Sequence, residues 1–567
     1  MPKKYLIIGG VAGGATAAAR LRRLDEFAQI IMFEKGPHVS FSNCSLPYYL
    51  GGHVEPAEKL ILMTPDKFDK QFNVDARTNS EVIAIDRTNK CVTVRNHVTA
   101  EEYQESYDKL IIAVGAKPIV PPFNGLATIE HFTLRNVVDV ERIHNILFNP
   151  TKPVKNISVI GAGFIGIEVA ENLREKGFNV TVIEMGNQIM KPFDFEMAKF
   201  LEKELLDHGI NLLLSEKVVG FESDKVLLES GKQVATDVAI LALGVSPDTG
   251  FLKETGLEIA KSGHIIVNDN YQTSDDDIYA AGDAILVNNA LTGQQFNLAL
   301  AGPANKQARF IADHIYGKEI INKGYIASSI IKLFNYTGAS TGINESWIKF
   351  HKLAIDYSIA YVVPVDRVSI MPNAKPIFIK IIYDTNNGKL LGAQAIGQGL
   401  VDKRMDVFAV AIKAGMTVED LQDLELCYAP PFATGKDAVN QAGYVASNLW
   451  KGDFKQVLFT EVDNLIANNA QIIDVRNPAE TQNGMLNKAK NIPLPELRSR
   501  LSEIDKTKPV YVHCRTGQRS YNAALLLQQH GYDVYNIAGS YIMMSYYYDT
   551  LARLTGISVP FNKPNFM

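Results

Sequence analysis

The stretch Asn-Ile-Ser-Val-Ile-Gly-Ala-Gly-Phe-Ile-Gly, residues 156–166, decides the fold predicted for this chain of 567 residues. Residues 156–160 predict a buried parallel strand, the three glycines match the pattern G-x-G-x-x-G, and residues 167–177 have helical periodicity. A second predicted strand, Val180 to Glu184, ends on an acidic residue. Strand, glycine turn, helix and terminal acid together predict a dinucleotide-binding unit.

Each part of this turn has its own role. Gly161 permits the tight turn, Gly163 lets backbone N–H groups approach a pyrophosphate at the helix N-terminus, and Gly166 brings helix against strand. Glu184 can accept hydrogen bonds from a ribose diol and would repel a 2′-phosphate. The sequence therefore favours NADH over NADPH.

A weaker copy of the unit lies at the start of the chain. Residues 9–14 read Gly-Gly-Val-Ala-Gly-Gly, so Val11 replaces the middle glycine while Gly9 and Gly14 keep the outer spacing, and Glu34 closes the next strand. The recurrence predicts two dinucleotide-binding units. The segment 278–283, a strand followed by glycine and acid, places Asp283 where it could hold a ribitol hydroxyl.

Composition excludes several classes of protein. A net charge of −5 gives no global field for nucleic acid or anionic lipid. Four cysteines form no disulfide scaffold and predict a reducing, cytoplasmic location. The basic, apolar start resembles a secretory signal, but glycines interrupt it and its pattern recurs in mid-chain. No apolar run reaches the roughly 18 residues of a membrane helix, and no metal site is predicted.

Cys44 lies in the run Ser-Phe-Ser-Asn-Cys-Ser-Leu-Pro, residues 40–47, shortly after the strand that ends on Glu34. No second cysteine is close enough in sequence to form Cys-x-x-Cys. A lone reactive cysteine must pair with a thiol from a small molecule. Cys91 is predicted to be a strand residue and Cys427 a core residue, and neither is assigned any chemistry.

A second isolated cysteine, Cys514, falls between a predicted strand, residues 509–513, and an amphipathic helix, residues 520–531. The six residues 514–519 would form a loop whose backbone N–H groups, with the helix N-terminus and Arg515 or Arg519, stabilise a thiolate. A phosphatase loop would be one residue longer, so this length favours a carrier of one sulfur atom.

Residues 1 to about 450 resemble the pyridine nucleotide-disulfide oxidoreductases, and within them the single-cysteine group of coenzyme A-disulfide reductases and NADH oxidases. The matching motifs are residues 9–14, 40–48, 161–166, 281–283, 300–305 and 428–432, the last followed by Lys436 and Asp437. Residues from about 458 onward resemble a rhodanese domain.

This resemblance implies an α/β fold with two Rossmann-like domains for FAD and NAD, an α+β dimerisation domain and a C-terminal rhodanese-like domain. The predicted ranges are 1–115 with 250–324 for FAD, 116–249 for NAD, 325–450 for dimerisation and 458–567 for the rhodanese-like domain. The family further implies a homodimer in which the partner subunit completes the active site.

The cofactor-binding positions implied are Gly9, Val11, Gly14, Glu34, Lys35, Ser42, Asn43, Ala113, Gly115, Gly161, Gly163, Gly166, Glu184, Gly244, Gly282, Asp283 and Ala301. The positions proposed to bind coenzyme A are Arg20, Arg22, Arg23, Ser40 and Asn43. Tyr428 matches a tyrosine that the family places near the reactive sulfur of the other subunit as a proton donor.

One family feature is missing. A second tyrosine usually comes from a Tyr-Tyr-Pro-Gly segment, whereas residues 369–373 here read Ser-Ile-Met-Pro-Asn. Without that phenol at Ile370 or Met371, we expect a persulfide to be handled better than a coenzyme A disulfide.

The sequence thus predicts an enzyme that uses NADH and FAD to reduce coenzyme A persulfide, polysulfide or coenzyme A disulfide at Cys44, with Cys514 carrying sulfane sulfur. Small-molecule thiols and persulfides are the expected partners. Two alternatives stay open: an NADH oxidase with Cys44 as a sulfenic acid, and a non-enzymatic sulfur carrier or sensor.

Overall fold

The computed structural model describes residues 2–566. The chain forms two compact units: residues up to Ile183 with Lys217–Tyr325, and Glu184–Glu216 with Ile326 onward. The four predicted domain ranges divide the chain more finely and stay predictions. No helix within 2–566 is both long and apolar enough to cross a membrane.

The first unit contains a five-stranded parallel sheet built on the N-terminal strand. Its strands, in spatial order, are Ile278–Ala280, Lys109–Ile112, Lys4–Ile8, Gln29–Phe33 and Asp75–Arg77. The central strands are continuous apolar runs with buried side chains, as in a parallel sheet covered on both faces. The helices Ala12–Leu24 and Ala301–Ile315 pack against each other beside this sheet.

A second parallel sheet in this unit contains the stretch that decides the fold. Glu130–Phe132, Val238–Leu241, Asn156–Ile160 and Asn179–Glu184 pair in that order, and the helix Phe164–Glu175 follows the glycine turn. The predicted strand, turn and helix are therefore confirmed. The remaining helices of the unit are Leu46–Leu50, Pro65–Phe72 and Val137–Phe148. The short antiparallel strands are Ser80–Asp86, Cys91–Asn96, Glu102–Ser106, Ala116–Pro118, Val218–Glu222, Lys225–Leu228, Gln233–Ala235, Val245–Pro247, Leu286–Asn288 and Gln295–Asn297.

The second unit contains an antiparallel sheet with helices and a separate parallel sheet. The antiparallel strands, in order, are Ser329–Leu333, Tyr336–Gly342, Leu390–Gly397, Ile377–Asp384 and Tyr357–Val362. The helices of this part are Glu345–Phe350, Val401–Ala414, Val418–Asp423 and Ala438–Trp450. The segment Glu184–Glu216 adds the helix Phe195–Asp207 and the strand Asn211–Leu214.

The parallel sheet near the C-terminus has the order Lys455–Leu458, Val534–Ala538, Val510–His513, Gln471–Asp474 and Lys490–Asn491. Its helices are Val462–Ala467, Pro478–Thr481, Gln518–Gln529 and Ser540–Thr555. Together the four sheets confirm the predicted α/β class with its α+β and C-terminal α/β parts.

The last helix, Ser540–Thr555, joins the two parts of the second unit. Its Tyr546 ring stacks on Phe200 with centroids 4.9 Å apart, and its hydroxyl lies 2.8 Å from that of Tyr336. Thr550 Oγ1 donates to the Lys199 carbonyl at 3.2 Å. Because these contacts are buried, the C-terminal sheet shares a core with the antiparallel sheet of the same unit.

Candidate functional site

Cys44 lies in a short 3₁₀ turn, Asn43–Ser45, directly before the helix Leu46–Leu50. Its side chain is exposed, and all four cysteines of the chain are free thiols. The surrounding protein atoms raise the pKa of the thiol, and the charges of Glu168 and Asp283 raise it further. Burial and these two carboxylates therefore favour the neutral thiol at Cys44.

Glu168, which was not singled out in the sequence, lies close enough to Cys44 for its charge to affect the thiol. Burial first, and then the charge of Glu171, raise the pKa of Glu168 to about 7, while a hydrogen bond from Tyr48 lowers it. Burial and the same two carboxylates raise the pKa of Tyr48 to about 12, so its phenol keeps its proton. A carboxyl that changes charge near neutral pH thus acts on the Cys44 thiol.

This arrangement predicts how Glu168→Gln changes the reactivity of Cys44. Above about pH 7 the parent carries a carboxylate there, so the neutral amide should raise the rate of Cys44 alkylation about threefold or more at about pH 8. Below about pH 6 the parent carboxyl is protonated, and the two proteins should react alike. Iodoacetamide labelling with peptide mass analysis measures the rate.

Glu175→Gln is the matched control, because Glu175 lies on the same helix and is exposed, with its carboxylate 3.3 Å from His53. It should not change the labelling rate. An equal acceleration at both pH values in Glu168→Gln would contradict the electrostatic explanation.

The turn at residues 9–14 fits a dinucleotide pyrophosphate. Gly9 has φ +98°, and a Cβ atom there would lie 2.3 Å from the Ala113 carbonyl oxygen. The helix Ala12–Leu24 that follows, with Val11 as its N-cap, has neither a side-chain cap nor an acidic residue in its first turn. Its first N–H groups therefore stay available to an anion.

The acid that closes the second strand is held by the same turn. Glu34 accepts the N–H of Gly10 through Oε2 and that of Gly36 through Oε1, each at 2.9 Å. Its neighbour Lys35 forms an ion pair with Asp248. Both predicted residues thus lie at the end of the strand Gln29–Phe33, which is where a bound dinucleotide presents its ribose.

Arg135, which was not predicted from the sequence, interacts with two of the predicted cofactor-binding residues, Asn43 and Asp283. With the Asn43 amide turned so that its oxygen accepts, Arg135 Nη1 donates to it at 2.8 Å. Arg135 Nε donates to the Ala116 carbonyl at 2.6 Å. Burial raises the pKa of Asp283, and Arg135 opposes that rise. Arg135 therefore hydrogen-bonds Asn43 and Ala116, and its charge acts on Asp283.

The remaining residues predicted to bind a cofactor in the first unit lie in turns or at the starts of helices. Ser42 Oγ is 2.7 Å from Ser45 Oγ, and Ala301 begins the helix Ala301–Ile315. Gly14 lies in the first helix, Gly115 follows the strand Lys109–Ile112, and Gly282 begins a 3₁₀ turn that includes Asp283. Gly115 and Gly282 thus follow the carboxyl ends of two neighbouring parallel strands.

The second turn has the same construction. Gly161 has φ +107°, and a Cβ atom there would lie 2.3 Å from the Ala242 carbonyl oxygen, while Gly163 has open space around it. The helix Phe164–Glu175, which contains Gly166, also begins without a side-chain cap or an acidic first turn. Gly244 follows the strand Val238–Leu241. Glu184 ends the strand Asn179–Glu184, and its Oε1 accepts the Gly186 N–H at 2.7 Å.

The three arginines predicted to bind coenzyme A differ in their surroundings. Arg22 is 6% exposed and donates five hydrogen bonds, to the carbonyls of Phe72, Asp25, Glu26, Ala28 and Asn73. The prediction of Arg22 as a phosphate contact is therefore wrong, because its guanidinium is already committed to the backbone. Arg20 is held by Asp313, and Arg23 lies 5.2 Å from the centre of the Phe72 ring.

Cys514 lies at the end of the strand Val510–His513 and is 1% exposed. The Gly517 N–H donates to its sulfur at 3.2 Å, and the Ser520 hydroxyl lies 3.5 Å from it. Arg519 is held by Glu480 at 2.6 and 2.7 Å, and its pKa is raised by these hydrogen bonds and, to a smaller extent, by the nearby Cys514. Arg515 is exposed, whereas Arg519 is partly buried.

A buried cluster of charged side chains, Asp474, Arg476 and His513, lies next to the Cys514 loop. Arg476 donates to both oxygens of Asp474, and its guanidinium lies 4.0 Å from the centre of the Tyr541 ring. His513 Nε2 is 3.6 Å from Asp474, and burial lowers the pKa of His513. These residues were not predicted, because their only signal in the sequence is a pair of charges at the end of an apolar strand.

Tyr428 lies in an irregular segment and is 55% exposed. Its neighbour Cys427 is exposed as well, so the prediction of Cys427 as a core residue is wrong. Ile370 is 87% exposed and, like Met371, has no hydroxyl to donate. Tyr428 is therefore at the surface of the chain, while residues 370 and 371 provide no phenol.

Family models match three consecutive parts of the chain. Residues 3–308 match the pyridine nucleotide-disulphide oxidoreductase model, residues 328–438 its dimerisation domain, and residues 458–542 a rhodanese-like domain. Sheet, turn and cysteine geometry agree with these matches, and the chain belongs to the pyridine nucleotide-disulphide oxidoreductase family.

Within that family the relatives are more specific. The coenzyme A disulfide reductase of Staphylococcus aureus is 36% identical over 447 residues, which are 79% of this chain and all of the relative. The crystal structure of reduced Bacillus anthracis CoADR-RHD is 44% identical with a TM-score of 0.93, covering 98% of this chain and 99% of that one. A NAD-dependent persulfide reductase from A. fulgidus is 34% identical with a TM-score of 0.89, covering 95% and 99%.

Proposed function

We propose that the chain is a flavoenzyme that uses NADH to reduce coenzyme A persulfide, polysulfide or coenzyme A disulfide through Cys44, fused to a rhodanese-type sulfurtransferase centred on Cys514. The observation that carries this proposal is an exposed, free Cys44 on a unit with two dinucleotide turns. Its similarity to a coenzyme A disulfide reductase and a persulfide reductase supports the substrate class.

The residues at the two turns would hold FAD and NADH. FAD, when bound, supplies the transfer of two electrons from NADH to a sulfur–sulfur bond. The glycine turns and the helix N-termini bind the pyrophosphates, while Glu34 and Glu184 accept hydrogen bonds from ribose hydroxyls. Arg135 fixes the Asn43 amide next to the nucleophile.

The sulfur steps follow from the surroundings of Cys44. Its thiolate attacks the outer sulfur of the substrate, the sulfur–sulfur bond breaks, and the leaving sulfur takes a proton from Tyr428. Two electrons that originate in NADH then cleave the new sulfur–sulfur bond at Cys44. Because an ionised Glu168 opposes the Cys44 thiolate, its protonation would favour the attacking form.

The proposal includes a homodimer whose partner subunit supplies Tyr428, supported by the match to the dimerisation domain and by the exposure of this tyrosine. Arg23, Ser40 and Asn43 remain the proposed coenzyme A contacts, with Arg20 available only if it leaves Asp313. Four free cysteines support a cytoplasmic location.

Steady-state NADH consumption without oxygen, against four acceptors, tests this function. The acceptors are coenzyme A persulfide, coenzyme A disulfide, glutathione persulfide and polysulfide, with released hydrosulfide measured in parallel. We expect coenzyme A persulfide to be turned over about tenfold faster than glutathione persulfide, since only the former offers phosphates to basic side chains.

NADH consumption with dioxygen alone, and one added oxygen on Cys44 in the intact mass, would instead identify an oxidase. A yellow protein with no NADH turnover for any acceptor would identify a carrier or sensor.

A further inference from the structure

Ser540 begins the last helix, 26 residues after Cys514, and its side chain is completely buried against that cysteine. Its hydroxyl oxygen accepts the Cys514 N–H at 3.4 Å and lies 4.0 Å from the sulfur. No pattern in the sequence connects the two residues. The contact exists because the strand Val534–Ala538 pairs in parallel with the strand that ends before Cys514.

The backbone of Ser540 has φ +51°, in the left-handed region that favours glycine. The preceding residue, Gly539, has φ +73° and supplies the N-cap of the helix. A serine persists in this conformation only when its surroundings hold it there, and such strain concentrates at functional positions. Here the conformation directs the hydroxyl towards the sulfur loop.

A second hydroxyl completes the arrangement. Ser520 Oγ lies 3.5 Å from Ser540 Oγ and donates to the Gly517 carbonyl at 3.0 Å. The next residues of the last helix bind the loop through their backbone: the N–H of Tyr541 donates to the Cys514 carbonyl, and that of Ile542 to the Arg515 carbonyl, both at 3.1 Å. The side chain of Ser540 therefore contacts Cys514 at the place where the start of this helix is hydrogen-bonded to the loop.

We propose that Ser540 is a positioning residue for sulfur transfer at Cys514, a role that rests on the proposed sulfurtransferase function. Its oxygen orients the cysteine through the backbone N–H. Its proton, which is donated to the Ile537 carbonyl at 3.4 Å in the structure, turns to the sulfur when the sulfur becomes anionic. With thiosulfate, the Cys514 thiolate attacks the sulfane sulfur, the sulfur–sulfur bond breaks, and sulfite leaves with the electron pair. The product is a Cys514 persulfide, and no added oxidant or reductant is needed.

The test compares Ser540→Ala and Ser540→Gly with the parent in the full-length flavoprotein. Both variants lose the hydroxyl, so both should form the Cys514 persulfide from thiosulfate about tenfold more slowly, and the rising limb of their pH profile should move to higher pH. Ser540→Gly should melt at a higher temperature than Ser540→Ala, because only glycine adopts this φ without strain. Intact-mass analysis follows persulfide formation.

Ser545→Ala is the matched control: Ser545 is equally buried on the same helix, and its hydroxyl donates to the Tyr541 carbonyl at 2.9 Å. It should load sulfur at the parental rate. The positioning role would be overturned if both Ser540 variants formed the Cys514 persulfide at the parental rate. It would also be overturned if Ser540→Gly alone did so, because that result would show that only backbone strain matters. If the parent itself takes up no sulfur from thiosulfate, the sulfurtransferase function is refuted instead. The rate of iodoacetamide labelling at Cys514 is then compared between the parent and the same variants.

Discussion

Cys44→Ser is expected to abolish the reduction of every disulfide and persulfide acceptor, with a loss on the order of a thousandfold or more. A serine hydroxyl does not ionise near neutral pH and cannot form a sulfur–sulfur bond. The exposed position of residue 44 in a short turn means that one oxygen in place of sulfur should leave the fold and the two dinucleotide turns intact. NADH should still bleach the yellow colour of the bound flavin.

The measurement is anaerobic hydrosulfide release from coenzyme A persulfide, with flavin absorbance followed in the same sample. Cys427→Ser is the matched control, since Cys427 is also exposed and free, and Cys91→Ser serves for the cysteine of the strand Cys91–Asn96. Both should retain activity within about twofold. Release of hydrosulfide by Cys44→Ser at the parental rate would remove Cys44 from the mechanism.

The parts of the fold that local rules determine were predicted correctly. The turn at Gly161 needs a positive φ and has no room for a Cβ atom, so the residue type follows from the conformation. The Cys514 loop is similar, because strand, loop and helix are contiguous in sequence and the sulfur is held largely by groups within residues 514–520. In both cases neighbours in the chain are also neighbours in space.

The contacts that could not be predicted from the sequence are those between segments that are far apart in the chain. Glu168 lies in the helix that follows the second turn, yet its charge raises the pKa of Cys44, and Arg135 hydrogen-bonds Asn43 across more than ninety positions. Arg22 was assigned to a phosphate because it lies on the helix after the first glycine turn, whereas the folded chain surrounds it with backbone carbonyls. To predict the contacts of such residues one must know how the helices pack, and hydrophobic periodicity alone does not determine that.

The burial of the last helix explains why the contact between Ser540 and Cys514 was not predicted from the sequence. The run Ser-Tyr-Ile-Met-Met-Ser-Tyr-Tyr-Tyr, residues 540–548, is buried over almost its whole surface, which periodicity cannot distinguish from a fully buried strand. Once this helix packs on the helix Phe195–Asp207, the residues at its start have fixed positions next to Cys514. The structure of the sulfur loop therefore depends on contacts made far along the helix.

Cys514→Ser is expected to remove sulfur transfer from thiosulfate, by on the order of a thousandfold or more, while leaving the reduction of coenzyme A disulfide at Cys44 within about twofold of the parent. The serine oxygen is smaller than sulfur and can keep hydrogen bonds to the Gly517 N–H and the Ser520 hydroxyl, so the buried loop should stay folded. It cannot, however, take up a sulfane sulfur.

The two activities must be measured on the same preparation, by the gain of one sulfur in the intact mass and by anaerobic NADH consumption with coenzyme A disulfide. Thr516→Ser is the matched control, because it changes a loop residue that keeps its hydroxyl and leaves Cys514 untouched. A Cys514→Ser chain that loads sulfur like the parent would refute the role of the loop. A variant that loses both activities together while keeping the parental melting temperature would instead show that Cys514 serves the reductase as well.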